Sequence, residues 1–598
     1  MEKYIITCVS PDLQVANVPY NVQKIKEYMT MGANGESKIV FFPRLCLCGV
    51  TCGDLFFQPL LIEKCLYGLK SLVEFSRGIA TTFVVGLPLR LGKSLYDVAA
   101  ILQNGKLLGL VPNVCLSNDD RRYFESCHEK KTLLLFDEKV PFSYDLTLDV
   151  AGKKIGFVLG NEKKTLRRVK DDLASAGAEV VLHLSSDTEG VDKPAQRRLF
   201  AKAMSQDGLC YLCANPAWGE STSTDVYSGH NLYAENGSLY AENQPFEDAF
   251  LSVDIRSVYE EIYQPILLKN PVSRTPFFPK DDSLQSYDLI ENIQAHALAK
   301  RLAHTRAKTA VIGVSGGLDS TLALLVVNKA FDVLEKDKKE IVAITMPGFG
   351  TTGKTFQNSL ALIEAIGATS RTIDIQKSVL QHFEDIGHDK EVLDTTYENA
   401  QARTRTLILM DVANATGGIV VGTGDLSEAA LGWCTYNGDH MSMYSVNASL
   451  PKTLIRKVVE VEASRAEGAL QETLMSVLNT EISPELLPPS KEGEIAQKTE
   501  ELVGPYELLD FFLYHVIEGK KGPRETYALA LQAFDDVYTD DQIKKWMRNF
   551  YWRFFSQQFK RSCAPDGANV GTISFAPVYW RMPSDACATI WLDEIEKL

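Results

Sequence analysis

Short hydrophobic runs alternate with amphipathic stretches along the first 265 residues. β-branched and aromatic residues dominate the runs, which predicts strands. The stretches between them repeat apolar positions every three or four residues, which predicts helices. The runs are "KIVFFP", "TTFVVGLPL", "KKIGFVLG", "AEVVLHLSS" and "LCYLCAN". This alternation predicts an α/β architecture of sheet and helix layers for residues 1–265.

The pattern changes after residue 265. Residues 266–285, "ILLKNPVSRTPFFPKDDSLQ", are rich in proline and polar residues and lack periodicity, which predicts a linker. A helical pattern, "DLIENIQAHALAKRLAHT", then opens a second region over residues 286–598. This region continues as strand-loop-helix alternation to about residue 460 and ends in mostly helical segments. We therefore predict two domains joined by a linker.

Composition narrows the class of protein. The 598 residues are 45% hydrophobic and 23% charged, which is ordinary for a globular protein. No apolar run reaches the roughly 18 residues that a membrane span needs. The first residues, "MEKYIITCVSPD", lack the features of a secretory signal, so we expect a cytoplasmic protein with no membrane partner. The net charge of −15 argues against binding nucleic acid.

One early stretch, "VFFPRLCLCGV", places Arg44 directly after an apolar strand and among cysteines. A buried guanidinium without a partner is costly, so Arg44 raises a question that the local pattern leaves open. Neither cysteine group has histidine neighbours or a second CxxC at zinc-binding spacing, so we interpret them as buried small hydrophobic residues. The two groups are Cys46, Cys48 and Cys52, and Cys210 and Cys213.

The sharpest local chemistry is "KTAVIGVSGGLDSTLALLVVN", residues 308–328, which predicts a strand, a glycine-rich loop at 315–320 and a helix. Glycines allow a tight turn, and the free amides that open the helix favour an anion. Asp319 adds a negative charge there, which is consistent with a divalent cation that bridges carboxylate and phosphate. A tight turn capped by serine and aspartate is the structural alternative. The loop lacks the GxxxxGK[ST] pattern, so hydrolysis of a γ-phosphate is not implied.

The SGGxDS pattern resembles the pyrophosphate loop of ATP-pyrophosphatases. Seven further motifs follow it in order: "TMPGFGTTGKT", "TYENAQARTRT", "GTGDLSEAALGW", "TYNGDHMSMYSVNASLPKTL", "SPELLPP", "GPYELLDFFLYH" and "FFSQQFKRSCAPDG". Together they resemble two-domain, glutamine-dependent NAD⁺ synthetases over essentially the whole chain. That resemblance implies a C-terminal doubly wound parallel-sheet domain of the adenine nucleotide alpha hydrolase type. It also implies that Mg²⁺ and ATP convert deamido-NAD⁺ to an acyl adenylate, from which ammonia displaces AMP.

The resemblance also assigns roles to individual residues. It implies ATP binding by Ser315, Gly316, Gly317, Asp319, Ser320, Arg403 and Thr423, and pyrophosphate binding by Ser315, Lys452 and Ser483. It implies deamido-NAD⁺ binding by Asn399, Asp439 and Lys560, Mg²⁺ ligands at Asp319 and Glu428, and catalytic roles for Asp319, Glu428, Lys452 and Lys560. Several have structural alternatives, with Arg403 and Lys560 as surface charges, Glu428 on a helix face and Ser483 as a helix cap.

The N-terminal region resembles the nitrilase-like amidase domain of the same family, an α-β-β-α sandwich. "LCLCGVTCGDLF", "GKLLGLVPN", "HLSSD" and "GESTSTDVYSGHNLYAENG" carry this resemblance. Family members hydrolyse glutamine with a Glu-Lys-Cys triad. Here Arg44 stands at the glutamate position, Asn113 at the lysine position and Gly160 at the cysteine position. A glycine cannot form the thioester intermediate, so we expect an inactive amidase domain. Arg44 is then expected at the mouth of the former site, bound by water or by a carboxylate such as Asp54.

We therefore expect an NAD⁺ synthetase that uses free ammonia. Two alternatives stay open: a separate glutaminase that docks on the degenerate domain, and a non-catalytic assembly subunit. The family resemblance further implies a homo-oligomer.

Overall fold

The computed structural model describes residues 3–247, 249–256, 272–351, 353–480, 486–487 and 499–598. The chain divides into two compact units. The first unit comprises residues 1–221 and 226–266, and the second comprises residues 222–225 and 267–598. No helix among the described residues combines the length and apolar character needed to cross a bilayer.

Two β-sheets form the centre of the first unit. The eight-stranded sheet has the order β14-β1-β2-β3-β4-β5-β7-β6, and the six-stranded sheet has the order β13-β12-β11-β10-β9-β8. The strands are β1 (Ile5–Val9), β2 (Ser37–Phe41), β3 (Thr82–Leu91), β4 (Ser94–Gln103), β5 (Lys106–Pro112), β6 (Lys131–Leu135), β7 (Glu138–Phe142), β8 (Thr147–Val150), β9 (Lys153–Leu159), β10 (Val180–Leu184), β11 (Cys210–Ala214), β12 (Leu232–Glu235), β13 (Ser238–Glu242) and β14 (Phe250–Asp254).

Helices cover the outer face of each sheet. Alternation along β2 shows why: Ile39 and Phe41 point into the core between the sheets, whereas Val40 points into the core beneath the helices. The same division holds for the six-stranded sheet, whose outer face packs on Leu166 and Met204. The helices are α1 (Val18–Asn34) and α2 (Pro59–Phe75) on one side, and α3 (Lys163–Ser175) and α4 (Lys193–Met204) on the other. The predicted α-β-β-α sandwich is confirmed.

The second unit contains a five-stranded parallel sheet of order β17-β16-β15-β18-β19. Val311 and Val420 pack on α8 (Gln376–Ile386) and α9 (Thr395–Thr416), and their neighbours Ala310 and Ile312 are also buried, so both faces are covered. The predicted doubly wound domain is confirmed. The strands are β15 (Ala310–Gly313), β16 (Ile341–Thr345), β17 (Thr369–Thr372), β18 (Ile419–Gly422) and β19 (Tyr444–Ser445).

The helices of this unit follow the predicted alternation and then form a helical cluster at the end of the chain. They are α5 (Leu284–Thr305), α6 (Leu318–Val333), α7 (Gly353–Ile366), α8 (Gln376–Ile386), α9 (Thr395–Thr416), α10 (Leu426–Leu431), α11 (Lys452–Arg465), α12 (Gly468–Leu478), α13 (Thr499–Val503), α14 (Tyr506–Ile517), α15 (Pro523–Ala533), α16 (Asp540–Ser556), α17 (Gln558–Arg561) and α18 (Thr589–Ile595).

The strand order reverses between β15 and β18, because the chain adds β16 and β17 on one side of β15 and then β18 and β19 on the other. Loops at the carboxyl ends of two such strands splay apart and leave a crevice, which is where open α/β sheets bind ligands. The 315–320 loop follows β15, and the loop that leads into α10 follows β18. Both predicted motifs therefore border the same crevice.

Candidate functional site

The loop after β15 has the shape of an anion cradle. Gly316 has φ +82°, and a Cβ there would collide with the carbonyl oxygen of Thr355, so glycine is required. Gly317 caps α6, its amide donates to Ser315 Oγ at 3.2 Å, and Ser315 Oγ lies 3.1 Å from Ser320 Oγ. The start of α6 directs backbone amides and serine hydroxyls to one place, as the sequence predicts for a phosphate site.

Three carboxylates and one lysine meet beside this loop. Lys452 Nζ lies 2.6 Å from Asp319 Oδ2, 2.6 Å from Asp425 Oδ2 and 3.0 Å from Glu428 Oε1. Asp319 is in the first turn of α6, Glu428 is in the first turn of α10, and Lys452 is the first residue of α11. Three separate helix N-termini thus supply one cluster, which we call the acidic cluster (Asp319, Asp425, Glu428 and Lys452).

Asp425 is a member that the sequence analysis missed. It caps α10, and its Oδ1 accepts from the amide of Glu428 at 2.7 Å. Its position three residues before a glutamate at a helix start is typical of a cap, so the local pattern gave a sufficient structural reason for it. Its other oxygen forms an ion pair with Lys452, which could be recognised only from the tertiary structure.

Electrostatics make the acidic cluster short of positive charge. Burial raises the pKa of Asp425, and burial together with Asp319 raises the pKa of Glu428 to about 7 even though Lys452 opposes the shift. Burial alone would lower the pKa of Lys452, but the three carboxylates raise it well above its usual range. With all four groups ionised the cluster carries an excess of two negative charges. A second cation is therefore favoured here.

The donor set fits a divalent metal ion. One oxygen from each of Asp319, Asp425 and Glu428 lies within 4.8 Å of the others, and within the described part of the chain this is the one group of acidic, histidine or cysteine side chains so arranged. Asp319 Oδ1 is buried and has no hydrogen-bond partner among the described residues. Clustered carboxylate oxygens are the ligands that Mg²⁺ prefers.

Lys560, predicted to bind deamido-NAD⁺, and Arg403, predicted to bind ATP, both contact the loop of residues 432–440. Lys560 Nζ donates to the carbonyl oxygens of Gly432 and Cys434, both at 2.7 Å, and burial lowers its pKa. Arg403 Nε donates to the Tyr436 carbonyl at 3.2 Å. The structure therefore brings both basic side chains to one wall of the crevice.

The same loop binds the remaining two predicted side chains through Thr435. Its hydroxyl donates to Asn399 Oδ1 at 2.7 Å, and its amide donates to Asp439 Oδ1 at 2.7 Å. Thr423 directly follows β18, and its carbonyl accepts from Asn447 Nδ2 at 3.2 Å. Ser483 lies outside the described residues.

In the first unit, the structure brings Arg44, Asn113 and Gly160 together. Arg44 Nε donates to Asp97 Oδ2 at 2.8 Å, and Asn113 Nδ2 donates to the same oxygen at 2.7 Å. The side-chain oxygen of Asn113 would lie 2.8 Å from a Cβ placed on Gly160. The alignment with the family's triad positions predicted this proximity, although the three residues are far apart in the chain.

The surroundings of Arg44 differ from the prediction. Arg44 is only 4% exposed, so it does not lie at an open mouth, and its partners are Asp97 and Asp120, with Nη2 2.7 Å from Asp120 Oδ1. Its Nη1 also donates to Ser186 Oγ at 2.9 Å. The suggested partner Asp54 instead pairs with exposed Arg122 at 3.1 Å. Asp97 could have been found from its position inside the apolar run "SLYDVAAIL", since a charge there needs a buried partner.

Gly160 leaves no room for a nucleophile in this arrangement. Its φ is +89°, and a Cβ would lie 2.6 Å from the carbonyl oxygen of Cys115 as well as close to Asn113. The nearby thiols are not activated substitutes, because burial raises the pKa of Cys46 and of Cys213 to about 12. A thiol becomes nucleophilic when its pKa is lowered, so these cysteines are part of the core.

Comparisons with known proteins agree with both halves of this description. Family models for carbon-nitrogen hydrolase and NAD synthase match residues 6–264 and 289–549. The chain is 35% identical to the glutamine-dependent NAD(+) synthetase of Mycobacterium leprae (strain TN), over 94% of this chain and 92% of that protein. It is 25% identical to the glutamine-dependent NAD(+) synthetase of Aquifex aeolicus (strain VF5), over 97% and 98% of the two chains.

Solved structures show the same fold. A glutamine-dependent NAD(+) synthetase from Cytophaga hutchinsonii matches with a TM-score of 0.82 at 20% identity, over 100% of each chain. The glutamine-dependent NAD+ synthetase from Acinetobacter baumannii, in complex with adenosine diphosphate, matches with a TM-score of 0.68 at 20% identity, over 98% of each chain. The folds of both units therefore occur together in other proteins.

Proposed function

The chain belongs to the two-domain NAD⁺ synthetase family, and from that premise we propose that it amidates deamido-NAD⁺ to NAD⁺ at the expense of ATP. The observation that carries this proposal is the acidic cluster beside the glycine-rich loop, at the point where the strand order reverses. A loop that favours phosphate and a cluster that favours a divalent cation together suit Mg-ATP. The relative crystallised with adenosine diphosphate supports a nucleotide at this fold.

The proposed reaction has two displacements. An oxygen of the nicotinate carboxylate attacks the α-phosphorus of ATP, and the bond to pyrophosphate breaks. Ammonia then attacks the acyl carbon, a C–N bond forms, the C–O bond to AMP breaks, and the nitrogen loses a proton. Both steps leave negative charge on a departing phosphate, so stabilising that charge is the main task of the protein.

The residues divide that task. Backbone amides from Gly317 to Ser320, with the Ser315 hydroxyl, bind phosphate oxygens at the start of α6. The Lys452 ammonium neutralises charge on the departing pyrophosphate. Asp319, Asp425 and Glu428 would hold Mg²⁺, which supplies further neutralising charge.

The wall around residues 432–440 orients the dinucleotide. Arg403 and Lys560 each donate to backbone carbonyls there, and we assign Lys560 to the dinucleotide and Arg403 to ATP. Asn399 and Asp439 bind Thr435 in the same loop, and we assign Thr423, directly after β18, to the adenylate. Ser483 completes the pyrophosphate site in the family pattern.

We further propose that the nitrogen donor is free ammonia. All three triad positions have changed, and Gly160 offers neither a thiol nor the space for one. Arg44 cannot accept a proton as the family's glutamate does, because both of its flanking carboxylates hold it as a cation. Losing the nucleophile alone typically costs several orders of magnitude in rate. The relatives named glutamine-dependent share the fold of this unit, so the proposal rests on these side chains and not on the fold.

The experiment that tests both proposals measures NAD⁺ formation by the purified chain from deamido-NAD⁺ and Mg-ATP, with ammonium chloride or with glutamine. We expect turnover with ammonium and less than about a thousandth of that rate with glutamine at equal nitrogen concentration. Turnover with glutamine by the pure protein would contradict the loss of the amidase. Turnover with glutamine only after adding cell lysate would indicate a separate glutaminase. No turnover with either donor would favour the non-catalytic subunit.

A further inference from the structure

A buried carboxylate lies behind the acidic cluster and bonds the helices that carry it. Asp510 is in the second turn of α14 and is 2% exposed. Its Oδ1 accepts from Ser427 Oγ at 2.5 Å. Its Oδ2 accepts from the Thr453 amide at 3.1 Å and from Thr453 Oγ1 at 2.8 Å. Asp510 touches no member of the acidic cluster, but each of its partners is adjacent to one.

The two partners place Asp510 between the starts of α10 and α11. Ser427 directly precedes Glu428, and Thr453 directly follows Lys452. Ser427 Oγ also accepts from the Lys452 amide at 2.9 Å, so the three residues form one connected network. Because a carboxylate stabilises helix N-termini, Asp510 is well suited to hold two of them at a set distance.

Helix α10 cannot by itself keep Glu428 at a fixed distance from Lys452. It has only six residues, which is too few for a helix that is stable in isolation. It carries Glu428, whose Oε1 must remain about 3.0 Å from Lys452 Nζ on another helix. Glu428 and Lys452 therefore depend on contacts that join α10 to α11, and Asp510 makes such contacts with both.

We propose that Asp510 is a positioning residue that sets the distance between Glu428 and Lys452 and thereby the affinity of the acidic cluster for a divalent cation. This proposal rests on the proposed function for its biological meaning, but its test does not need the reaction. Asp510 acts through Ser427 and Thr453 and does not touch substrate. Burial raises the pKa of Asp510 to about 6, and the hydrogen bonds from Ser427 and Thr453 offset part of the cost of burying its charge.

The test compares Asp510→Asn with Glu507→Gln. Glu507 is on the same helix, and its carboxylate accepts from Tyr538 at 2.5 Å, away from the acidic cluster. Free Mn²⁺ is titrated onto each purified, nucleotide-free variant and followed by electron paramagnetic resonance. We expect Asp510→Asn to weaken Mn²⁺ binding about tenfold, as loss of a residue that orients metal ligands typically does. Glu507→Gln should bind Mn²⁺ as the unmodified protein does.

A second readout is the Mg²⁺ concentration that gives half-maximal NAD⁺ formation. It should rise about tenfold in Asp510→Asn, and saturating Mg²⁺ should restore most of the rate, whereas simple misfolding would lower the rate at every Mg²⁺ concentration. A folded Asp510→Asn variant with unchanged Mn²⁺ affinity would overturn the positioning role. An unmodified protein that binds Mn²⁺ but forms no NAD⁺ would instead contradict the proposed function.

Two gentler variants apply if Asp510→Asn fails to fold. Ser427→Ala and Thr453→Val each remove one hydroxyl that donates to Asp510. Each should weaken Mn²⁺ binding by a few fold. The double variant should weaken it by no more than Asp510→Asn does, because both hydroxyls act through Asp510. Unchanged Mn²⁺ affinity in both variants would overturn the proposal.

Discussion

Both units hold a buried basic side chain against carboxylates, and the two arrangements differ in how far they are satisfied. Around Arg44, every guanidinium nitrogen has a partner, and the Asn113 amide also donates to the shared oxygen of Asp97. Around Lys452, three carboxylates compete for one ammonium, and Asp319 Oδ1 has no partner among the described residues. Asp97 Oδ1 also has no partner among the described residues, so the two networks differ in charge: the first has two carboxylates for one cation, and the second has three.

Titration behaviour follows this difference only in part. Burial opposes ionisation of both partners of Arg44, whose charge lowers the pKa of Asp120 below its usual value, whereas the pKa of Asp97 stays raised. In the acidic cluster the lysine does not compensate for burial, and the pKa of Glu428 rises to about 7. Perturbed carboxylates that a ligand can reach are typical of a binding site. The side chains of Asp319 and Glu428 are 23% and 22% exposed, whereas those of Arg44 and Asp97 are 4% and 0% exposed, which supports the proposal that ligand binding belongs to the second unit.

The largest effect on activity should follow from a substitution in the acidic cluster. Asp319→Asn removes a carboxylate that holds Lys452 and that would bind the metal ion, so we expect kcat/KM for NAD⁺ formation to fall about a thousandfold. Asp332→Asn is the matched control, because Asp332 lies near the end of the same helix and its side chain is 63% exposed. Steady-state kinetics with ammonium measure both. A loss of less than tenfold in Asp319→Asn would remove the cluster from the mechanism.

Breaking the ion pairs of Arg44 should lower the stability of the first unit and leave NAD⁺ formation unchanged. Arg44→Met leaves Asp97 buried without its cation, which we expect to destabilise the first unit by about 3 kcal/mol. Arg122→Met should cost less than about 1 kcal/mol, because Arg122 and Asp54 are both more than half exposed. Hydrogen exchange of peptides from β4 and β5 reports the difference locally. Equal exchange in the two variants, or a large loss of NAD⁺ formation per folded Arg44→Met molecule, would refute this interpretation.

Low pH should reduce the stability of the first unit through protonation of His183. Burial lowers the pKa of His183 to about 4, and its ring bonds the Gly160 carbonyl at 2.7 Å and the Tyr211 hydroxyl at 2.6 Å. Because the folded pKa lies below the ordinary value of 6.5, stability is complete above pH 6.5 and falls as the pH drops toward 4. The shift corresponds to about 3 kcal/mol at most, spread over that range.

Calorimetry of the full chain between pH 4 and 7 checks this expectation. His183→Gln should flatten the loss of stability below pH 6.5, and His128→Gln, at an exposed position of the same unit, should keep the slope of the unmodified protein. If all three proteins lose stability in parallel, another group controls the acid response.

The sequence could predict what local spacing determines. Residues 308–328 form the predicted strand, loop and helix, with β15 over Ala310–Gly313 and Asp319 at the start of α6. The two folds and the proximity of Arg44, Asn113 and Gly160 followed from long motifs in order. These features depend on neighbours in the chain or on resemblance, and neither requires knowledge of tertiary contacts.

Long-range partners could not be predicted in the same way. Asp97 meets Arg44 because β3 and β4 form a hairpin beside β2, and Asp510 meets Ser427 across 83 positions of the chain. Asp54 seemed a suitable partner for Arg44 because it is near in sequence, yet it faces Arg122. Sequence proximity is a poor guide to charge pairing wherever strands bring distant segments together.

The smallest expected effects are those of alanine substitutions at two glycines, and they test how tightly Gly160 is packed. Gly152 and Gly160 flank the same strand, β9, and both have positive φ, +81° and +89°. A Cβ on Gly152 would meet nothing within 4 Å, so Gly152→Ala should cost only the backbone strain, about 1 kcal/mol. Gly160→Ala must also displace the Cys115 carbonyl and Asn113, which should add about 1–2 kcal/mol.

The contact with the Cys115 carbonyl determines whether position 160 can hold a thiol. Asn113→Ala should recover only part of the extra cost of Gly160→Ala, because the Cys115 carbonyl lies 2.6 Å from the new Cβ and belongs to the main chain. Gly160→Cys should therefore introduce a thiol where the Cys115 carbonyl and Asn113 leave no space for it, and glutamine should remain unhydrolysed. Equal stability of Gly152→Ala and Gly160→Ala, together with glutamine hydrolysis by Gly160→Cys, would mean that the site is still open and that only its side chains have changed.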